Sequence, residues 1–230
     1  MDNKHKVMAL VPMKGHSERV PGKNMRSFCG QPLFHWVIMS LQNSKYITRV
    51  IINTDSQAIA QNALEYFDCV EIVERPEAIQ GDFVPMNDII AYDLSQVEGE
   101  YFLQTHSTNP LLRTATIDKA IEYYFNSLER HDSLFSVTRR QVRLYWQDGQ
   151  PINHSLQELL RTQDLKPIYE ENSCLYIFSK TSFSQGGNRR IGLKPQMFEM
   201  DKFEAVDIDQ EQDFMLAEAL HKLKNVQGGF

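Results

Sequence analysis

Cysteine is scarce in this chain, and the few that occur form no pattern. Cys29, Cys69 and Cys174 are the only three among 230 residues, and no CxxC pair is present. Their odd number and wide spacing argue against a disulfide framework and against a structural zinc site. We therefore expect thiols that pack as small hydrophobic groups, in a protein of the reducing cytoplasm.

Long apolar runs and an excess of positive charge are also missing. No apolar stretch approaches the ~18 residues of a membrane span, so no membrane partner is predicted. The apolar residues 7–11 are fewer than the ~7–15 of a signal-peptide core, and a mature strand is predicted there. The net charge of −6 argues against a nucleic-acid partner, because such proteins present a broad basic face. A small anionic ligand remains possible.

Short apolar runs alternate with segments of helical periodicity along the chain, which is typical of an α/β fold. Several runs are apolar throughout, as expected for strands that are covered on both faces. Strands are predicted at 6–11, 49–54, 69–74, 101–105, 133–138, 173–178 and 203–208, and helices at 32–43, 55–66, 87–97, 117–128 and 210–223. The pattern predicts one Rossmann-like, mostly parallel, doubly wound sheet, with residues 1–230 as a single domain.

One stretch interrupts this alternation. Residues 143–153 have two β-prone arms around Asp148 and Gly149, which predicts a small hairpin standing off the main sheet. We expect an excursion at about 140–170.

A polar, cationic loop follows the first predicted strand. In open α/β sheets ligands bind outside the carboxyl ends of the strands, so this position is a functional indication. Glycines permit backbone N–H groups to line an anion site, and Ser17 adds a donor. The loop residues in question are Lys14, Gly15, Ser17, Arg19, Gly22, Lys23 and Arg26, with Glu18 as the one acid. Composition alone leaves open whether they bind an anion or form a solvated turn.

The loop "PMKGHSERVPGKN" (12–24) resembles the signature loop of the acylneuraminate cytidylyltransferases, P-A-R-x-x-S-x-x-x-P-x-K-N. Ser17, Pro21, Lys23 and Asn24 match in register. The resemblance continues in order through residues 30–38, 51–60, 74–82, 108–121, 171–178 and 205–214.

This resemblance implies a loop that holds the triphosphate of CTP. Lys23 would be the principal phosphate cation, and the implied catalytic residues are Lys23, Lys14 and Asp209. The implied nucleotide-binding residues are Lys14, Gly15, Ser17, Arg19, Lys23, Asn24, Arg75 and Asp82. Lys14 stands where the family usually has Arg, and it offers a point charge instead of a bidentate fork.

The stretch "AVDIDQEQDF" (205–214) contains a closely spaced pair of aspartates, Asp207 and Asp209. Asp207 and Asp209 are two residues apart, so they project to the same side of an extended backbone. Such a pair suits Mg²⁺, which combines carboxylates with substrate phosphates. Asp209 and Gln212 also fit a helix capping box. The family resemblance implies the metal-binding pair.

Two further positions have competing interpretations. Arg75 lies beside the nucleotide by resemblance, and a surface ion pair is the alternative. Asp55, in "NTDS", is interpreted as the N-cap of the following helix.

A sugar site is implied by resemblance for residues of three later segments. Arginine forks suit the carboxylate of a nonulosonic acid. The implied sugar-binding residues are Gln104, His106, Thr108, Asn172, Arg189 and Arg190. A capped turn at 104–110 and a solvated loop at 187–195 are the alternatives.

The resemblance implies a cytoplasmic, homodimeric enzyme that joins CTP and a nonulosonic acid to give the CMP-sugar and pyrophosphate, with Mg²⁺ as cofactor. The excursion at about 140–170 would form the dimer contact. Alternatives are the same chemistry on Kdo, a nucleotide-binding homologue without turnover, and a metal-independent protein of similar fold. The sequence leaves the particular nonulosonic acid open.

Overall fold

The structure is a computed structural model that describes residues 5–226, with side chains described through residue 223. Helices and strands alternate along it. The strands are β1 (Val7–Leu10), β2 (Ser27–Phe28), β3 (Gln31–Pro32), β4 (Ile47–Thr54), β5 (Val70–Glu74), β6 (Tyr101–Gln104), β7 (Ser133–Arg140), β8 (Ile168–Ser179) and β9 (Pro195–Glu199). The helices are α1 (Leu33–Gln42), α2 (Gln57–Tyr66), α3 (Met86–Gln96), α4 (Thr114–Phe125), α5 (Lys180–Gln185) and α6 (Glu211–Val226).

Seven of the strands form one sheet in the order β5-β4-β1-β6-β8-β7-β9. The neighbours of β1 run parallel to it, and so do β5 beside β4 and β9 beside β7. Only β8 is antiparallel to its neighbours in this sheet. The carboxyl ends of the parallel strands and the amino end of β8 therefore lie at the same end of the sheet. The predicted mostly parallel α/β sheet is confirmed.

The sheet is covered on both faces. Alternate residues of β1 point to opposite sides, with Val7 and Ala9 in one apolar cluster and Met8 and Leu10 in the other. Helices α1, α2 and α4 contribute to the first cluster, while α3 and α5 contribute to the second. This arrangement explains why the central strands are apolar on both faces.

The prediction of a strand at 203–208 is wrong. The segment turns after Asp201, whose carboxylate accepts the N–H of Phe203 and whose carbonyl accepts that of Ala205. The apolar residues of this segment have the spacing of a strand, but the segment forms none. Phe203 is half exposed and Ile208 is buried. The seventh strand of the sheet is β9 instead, paired with β7 from Ser133–Pro195 onward. Because β9 is a half-exposed edge strand, its sequence lacks the apolar pattern by which a buried strand is recognised.

A narrow hairpin lies between β7 and β8. Tyr145 and Pro151 form an antiparallel bridge, and Gly149 has a φ of 83° in the turn between them. Trp146 and Leu159 in this excursion are largely exposed, at 64% and 89%. None of the helices in residues 5–226 combines the length and apolar character that a bilayer crossing requires.

Candidate active site

The loop after β1 packs tightly against the junction of β4 and α2. The N–H of Gly15 donates to the Asp55 carboxylate at 2.7 Å. A Cβ at Gly15 would lie 2.8 Å from Cβ of Ser56, so a close approach requires glycine here. Two expectations are corrected. Ser56 caps α2 by accepting the N–H of Ile59, and Asp55 instead holds the Gly15 N–H expected to face an anion.

Asn24 fastens the other end of this loop. Its amide Nδ2 donates to the carbonyl of Lys14 at 2.9 Å, and its Oδ1 accepts from the Ser107 hydroxyl at 2.7 Å. Asn24 is buried, in a single helical turn that follows Gly22 in the left-handed conformation. The residue predicted to contact the nucleotide thus positions the loop against the turn after β6.

The cationic loop meets the carboxylates near the C-terminus. Lys23 donates to the carbonyl of Ile208, and its ammonium lies 3.7 Å from the Asp209 carboxylate. Arg19 donates to Asp209 at 2.9 Å. The two segments singled out in the sequence therefore share one end of the sheet, although they are about 190 residues apart in the chain.

Asp207 and Asp209 occupy different environments. The Oδ1 atom of Asp207 is buried and has no hydrogen-bond partner, and burial raises the pKa of this carboxyl. Asp209 is 47% exposed and faces Arg19 and Lys23. Among the described residues, no group of three or more acidic, His or Cys side chains is arranged to hold a metal ion by itself.

Asp213, and not Asp209 as the sequence pattern had suggested, accepts the backbone N–H groups before α6. Its carboxylate accepts the backbone N–H of Asp209 at 3.1 Å and that of Gln210 at 2.8 Å, just before α6 begins. A carboxylate at this position also interacts favourably with the helix dipole. The carboxylate of Asp209 is thereby left to face the cationic loop.

A cavity of about 450 Å³ opens between these segments. Its polar lining includes four cations and four acids. These are Lys14, Arg19, Lys23 and Arg75, and Glu18, Asp82, Asp207 and Asp209. Ser17 and Asn24 also line it, as do His106 and Thr108, which were predicted to bind the sugar. The predicted nucleotide-binding side chains thus converge on one cavity.

Arg75 reaches this cavity from a buried position. Its Nε donates to Asn53 Oδ1 at 2.6 Å, and Asn53 Nδ2 donates to Asp93 at 2.5 Å. Arg75 is 4% exposed, so the alternative of a surface ion pair is wrong. Asp93 is fully buried, and its second carboxylate oxygen has no hydrogen-bond partner. Burial raises the pKa of Asp93 to about 7.

We expect Asp93 to make the stability of the protein depend on pH. Between about pH 4 and pH 7 the folded state keeps a proton that the unfolded chain has lost, so stability falls as pH rises, by up to ~1.4 kcal/mol per unit. Asp93→Asn removes this dependence. Urea unfolding at pH 5, 6, 7 and 8 should show the variant gaining ~2–3 kcal/mol relative to wild type between pH 5 and pH 7.

Asp88, which is exposed on the same helix, provides the control for this measurement. Asp88→Asn should leave the shape of the pH–stability curve unchanged. Parallel curves for wild type and Asp93→Asn would contradict the assigned protonation.

Asp82 neutralises one of the predicted phosphate cations. It pairs with Lys14 at the rim of the cavity, and this contact lowers the pKa of the Asp82 carboxyl. Both side chains are 38% exposed. A bound anion would have to compete with Asp82 for the Lys14 ammonium.

Asp82→Asn should therefore lower the KM for CTP, the substrate that the resemblance in the motifs implies. We expect a decrease of about two- to five-fold at low salt, as for an exposed ion pair, and a smaller one at high salt. Steady-state kinetics at two ionic strengths measure it, with Asp68→Asn as an exposed control on the α2–β5 connection. A rise in KM would show that Asp82 contacts the nucleotide directly.

A second cavity, of about 540 Å³, adjoins the first. The two share Asp207 and Asp209 in their linings. The remaining polar residues of the second cavity are Thr138, Arg140, Glu170, Glu171, Asn172, Ser173, Lys202 and Asp213. Of the predicted sugar-binding residues only Asn172 lines it.

Gln104 and Arg190 line neither cavity. Gln104 is fully buried and accepts from Arg190 Nη1 at 2.6 Å. The Arg190 guanidinium stacks 3.8 Å above the ring of Tyr176, and burial lowers its pKa. Arg189 donates to the carbonyl of Gly186 and lines neither cavity. The six predicted sugar residues therefore do not line one cavity: His106 and Thr108 line the first, Asn172 lines the second, and the other three line neither.

His106 lines the first cavity as a neutral ring. Burial lowers the pKa of His106 to about 4, and the nearby charge of Arg190 acts in the same direction. Near pH 7 the imidazole both donates and accepts hydrogen bonds, as an amide side chain does.

Several residues of the site were not found from the sequence. Thr138 and Arg140 end β7 and could have been found by the rule that ligands bind at carboxyl strand ends. No sequence pattern indicated Asn53 and Asp93, because their roles depend on the contact between β4 and α3.

A doubly wound sheet whose first loop carries cations to a pair of carboxylates is suited to binding a nucleotide or another polyphosphate. The family model described as "Cytidylyltransferase" matches residues 8–228. The chain belongs to the cytidylyltransferase family, and the family predicted from its motifs is confirmed.

Curated relatives agree with this assignment, and a solved structure shares the fold. The chain is 28% identical to post-translational flagellin modification protein B of Campylobacter coli, over 96% of this chain and 97% of that one. It is also 28% identical to N-acylneuraminate cytidylyltransferase A of Danio rerio, over 92% of this chain. It spans only 50% of that longer relative. The structure of CMP:2-keto-3-deoxy-manno-octonic acid synthetase complexed with CTP superposes with a TM-score of 0.70 at 13% identity, covering 95% of this chain and 99% of that chain.

Proposed function

We propose that this protein transfers CMP from CTP to a nonulosonic, sialic-acid-like sugar and releases pyrophosphate. The observation that carries the proposal is the meeting of two polar cavities at Asp207 and Asp209. The first has the cations for a triphosphate, and the second has hydroxyl, amide and charged groups for a sugar acid. A reaction that joins a nucleotide to a sugar needs such adjoining sites.

The choice of sugar rests on the relatives. The relative from Danio rerio is named for its action on N-acylneuraminate, a nonulosonic acid. Kdo is the alternative, supported by the fold of the structure that contains CTP. At 13% identity that likeness concerns the fold alone, so the sialic-acid-like sugars are preferred.

The chemistry asks the protein mainly to position reactants and to stabilise charge. The anomeric hydroxyl of the sugar attacks the α-phosphorus of CTP, and pyrophosphate leaves. Lys14, Arg19 and Lys23 stabilise the negative charge of the triphosphate and of the leaving pyrophosphate. Arg75 adds a positive charge held in place by Asn53.

Asp207 and Asp209 are proposed to hold Mg²⁺. The unpartnered, buried Oδ1 of Asp207 and the half-exposed carboxylate of Asp209 supply the hard oxygen ligands that this ion prefers. When bound, Mg²⁺ neutralises charge on the substrate phosphates. The buried Asp207 carboxyl, whose pKa is raised in its absence, would be held in the charged form.

We also propose a homodimer that forms through the excursion at about 140–170. Exposed apolar side chains in this segment, among them Trp146, Leu156 and Leu159, support an interface. The three free thiols support a cytoplasmic location.

Pyrophosphate release tests the proposal. The protein is incubated with CTP, Mg²⁺ and one of N-acetylneuraminate, legionaminate, pseudaminate or Kdo, and the CMP-sugar is identified by mass spectrometry. Release with a nonulosonic acid is expected. Release only with Kdo would establish the alternative sugar, and CTP binding without release for any sugar would indicate a nucleotide-binding homologue.

A further inference from the structure

An irregular segment of β8 forms part of the second cavity. The pairing of β8 with β7 shifts between Phe135 and Val137, which lie opposite Tyr176 and Glu171 respectively. Two steps along β7 therefore correspond to five along β8, so residues 172–175 bulge out of the ladder. Bulges of this kind re-aim side chains and are frequent beside active sites.

Ser136 and Asn172 hold this bulge in place. The Ser136 hydroxyl donates to Asn172 Oδ1 at 2.5 Å and accepts the N–H of Leu175 at 2.8 Å. Asn172 Oδ1 also accepts the N–H of Cys174, and its Nδ2 donates to Thr138. Asn172 thus supports the shape of the cavity wall, with both ends of its amide engaged in the protein.

Ser173 lies within the bulge in a left-handed conformation, with φ of 58°. The Cβ of serine makes this conformation sterically unfavourable, whereas glycine would adopt it without a steric penalty. Such strained residues persist where their surroundings fix them, and they concentrate at functional sites. Ser173 lines the second cavity in this conformation.

The Ser173 hydroxyl is oriented by buried neighbours. It lies 3.1 Å from the hydroxyl of Tyr176, which is fully buried and donates to the Glu171 carboxylate. Because the single proton of Tyr176 is engaged by Glu171, the Ser173 hydroxyl donates its own proton to Tyr176, and its lone pairs are available to accept a hydrogen bond from a ligand. The ring of Tyr176 is in turn covered by Arg190.

We propose that Ser173 is a specificity-determining residue, whose hydroxyl binds a hydroxyl or amide substituent of the sugar acid in the second cavity. This inference rests on the proposed function. A site built to hydrogen-bond a substituent discriminates against sugars that lack it. Ser173 accordingly sets which nonulosonic acid is preferred.

Two substitutions separate the hydroxyl from the backbone strain. Ser173→Ala removes the hydroxyl and keeps the strain, whereas Ser173→Gly removes both. In each variant the KM for the preferred sugar acid should rise about three- to ten-fold, as for one lost hydrogen bond, while the KM for CTP stays within about twofold. The kcat/KM ratio between the preferred sugar and the next should fall. The Tm of Ser173→Gly should exceed that of Ser173→Ala.

Asn188→Gly is the matched control, because Asn188 has the same φ of 58° and is exposed. It should change the Tm without changing the KM for the sugar. If the sugar KM and the preference among sugars are unchanged in both Ser173 variants, the inference is wrong while the proposed function stands. If wild type releases no pyrophosphate with any sugar acid, the proposed function fails and this inference fails with it.

Discussion

Replacement of Asp207 by Asn should lower kcat/KM by roughly 10²–10³-fold, while the Tm stays the same or rises. Asp207 would hold the Mg²⁺ that neutralises charge on the substrate phosphates, and the loss of such preorganised stabilisation costs about 3–4 kcal/mol, which corresponds to this change in rate. Asparagine has nearly the same shape, so the variant should fold. Pyrophosphate release at varied Mg²⁺ concentration and thermal unfolding measure the two effects.

The expected stability of this variant follows from the environment of Asp207. Its Oδ1 is buried without a partner, and burial raises its pKa, so the ionised carboxylate destabilises the folded state near neutral pH. A neutral amide removes that cost. Activity and stability should therefore change in opposite directions, which a general loss of structure would not produce.

Glu211→Gln is the control, because Glu211 lies on the same segment and pairs with Arg26 at 2.6 and 2.7 Å. Its loss should change activity less than about twofold, as for an exposed ion pair. Full activity of Asp207→Asn would contradict the role of the carboxylate pair and favour the metal-independent alternative.

Lys23→Met should raise the KM for CTP and lower kcat/KM by about 30- to 100-fold. Lys23 is the least exposed of the loop cations that form ion pairs, with 13% of its side chain accessible, and a hydrogen bond to a charged partner is worth ~1.5–3 kcal/mol. Lys14 and Arg19 remain, so binding should weaken without being abolished. Initial rates at varied CTP concentration test the prediction.

The pH dependence of this effect distinguishes charge from packing. Burial lowers the pKa of Lys23, so its proton is lost at a lower pH than that of an exposed lysine. The KM of wild type for CTP should rise at alkaline pH, and Lys23→Arg should delay this rise because arginine stays charged. Lys45→Met, at an exposed lysine before the amino end of β4, should leave both parameters unchanged. An equally steep alkaline rise in Lys23→Arg would assign it to another group.

Local patterns in the sequence were sufficient for much of the fold and for the position of the site. The apolar runs of β1, β4 and β6 are covered on both faces, so periodicity alone identified them as buried strands. Parallel strands end at one edge, and therefore a cationic loop after β1 had to lie where ligands bind. The motif of residues 12–24 then indicated the family.

Errors occurred where two local interpretations competed. Residues 203–208 have the apolar spacing of a strand, but Asp201 fixes a turn there and β9 takes the edge position beside β7. Asp209 and Gln212 have the spacing of a capping box, but it is the carboxylate of Asp213 that accepts backbone N–H groups before the helix, those of Asp209 and Gln210. Residue spacing in the sequence cannot decide between these alternative interpretations, because the distances that decide between them exist only in the folded chain.

The sequence by itself determined the α/β class, the buried strands and the cationic loop after β1, since each depends on residues close together in the chain. Only the tertiary structure decided which groups from distant parts of the chain meet: Lys14 with Asp82, Lys23 with Asp209, Arg75 with Asn53, and Ser136 with Asn172. These pairs are set by strand order, register and burial, and no local pattern encodes them.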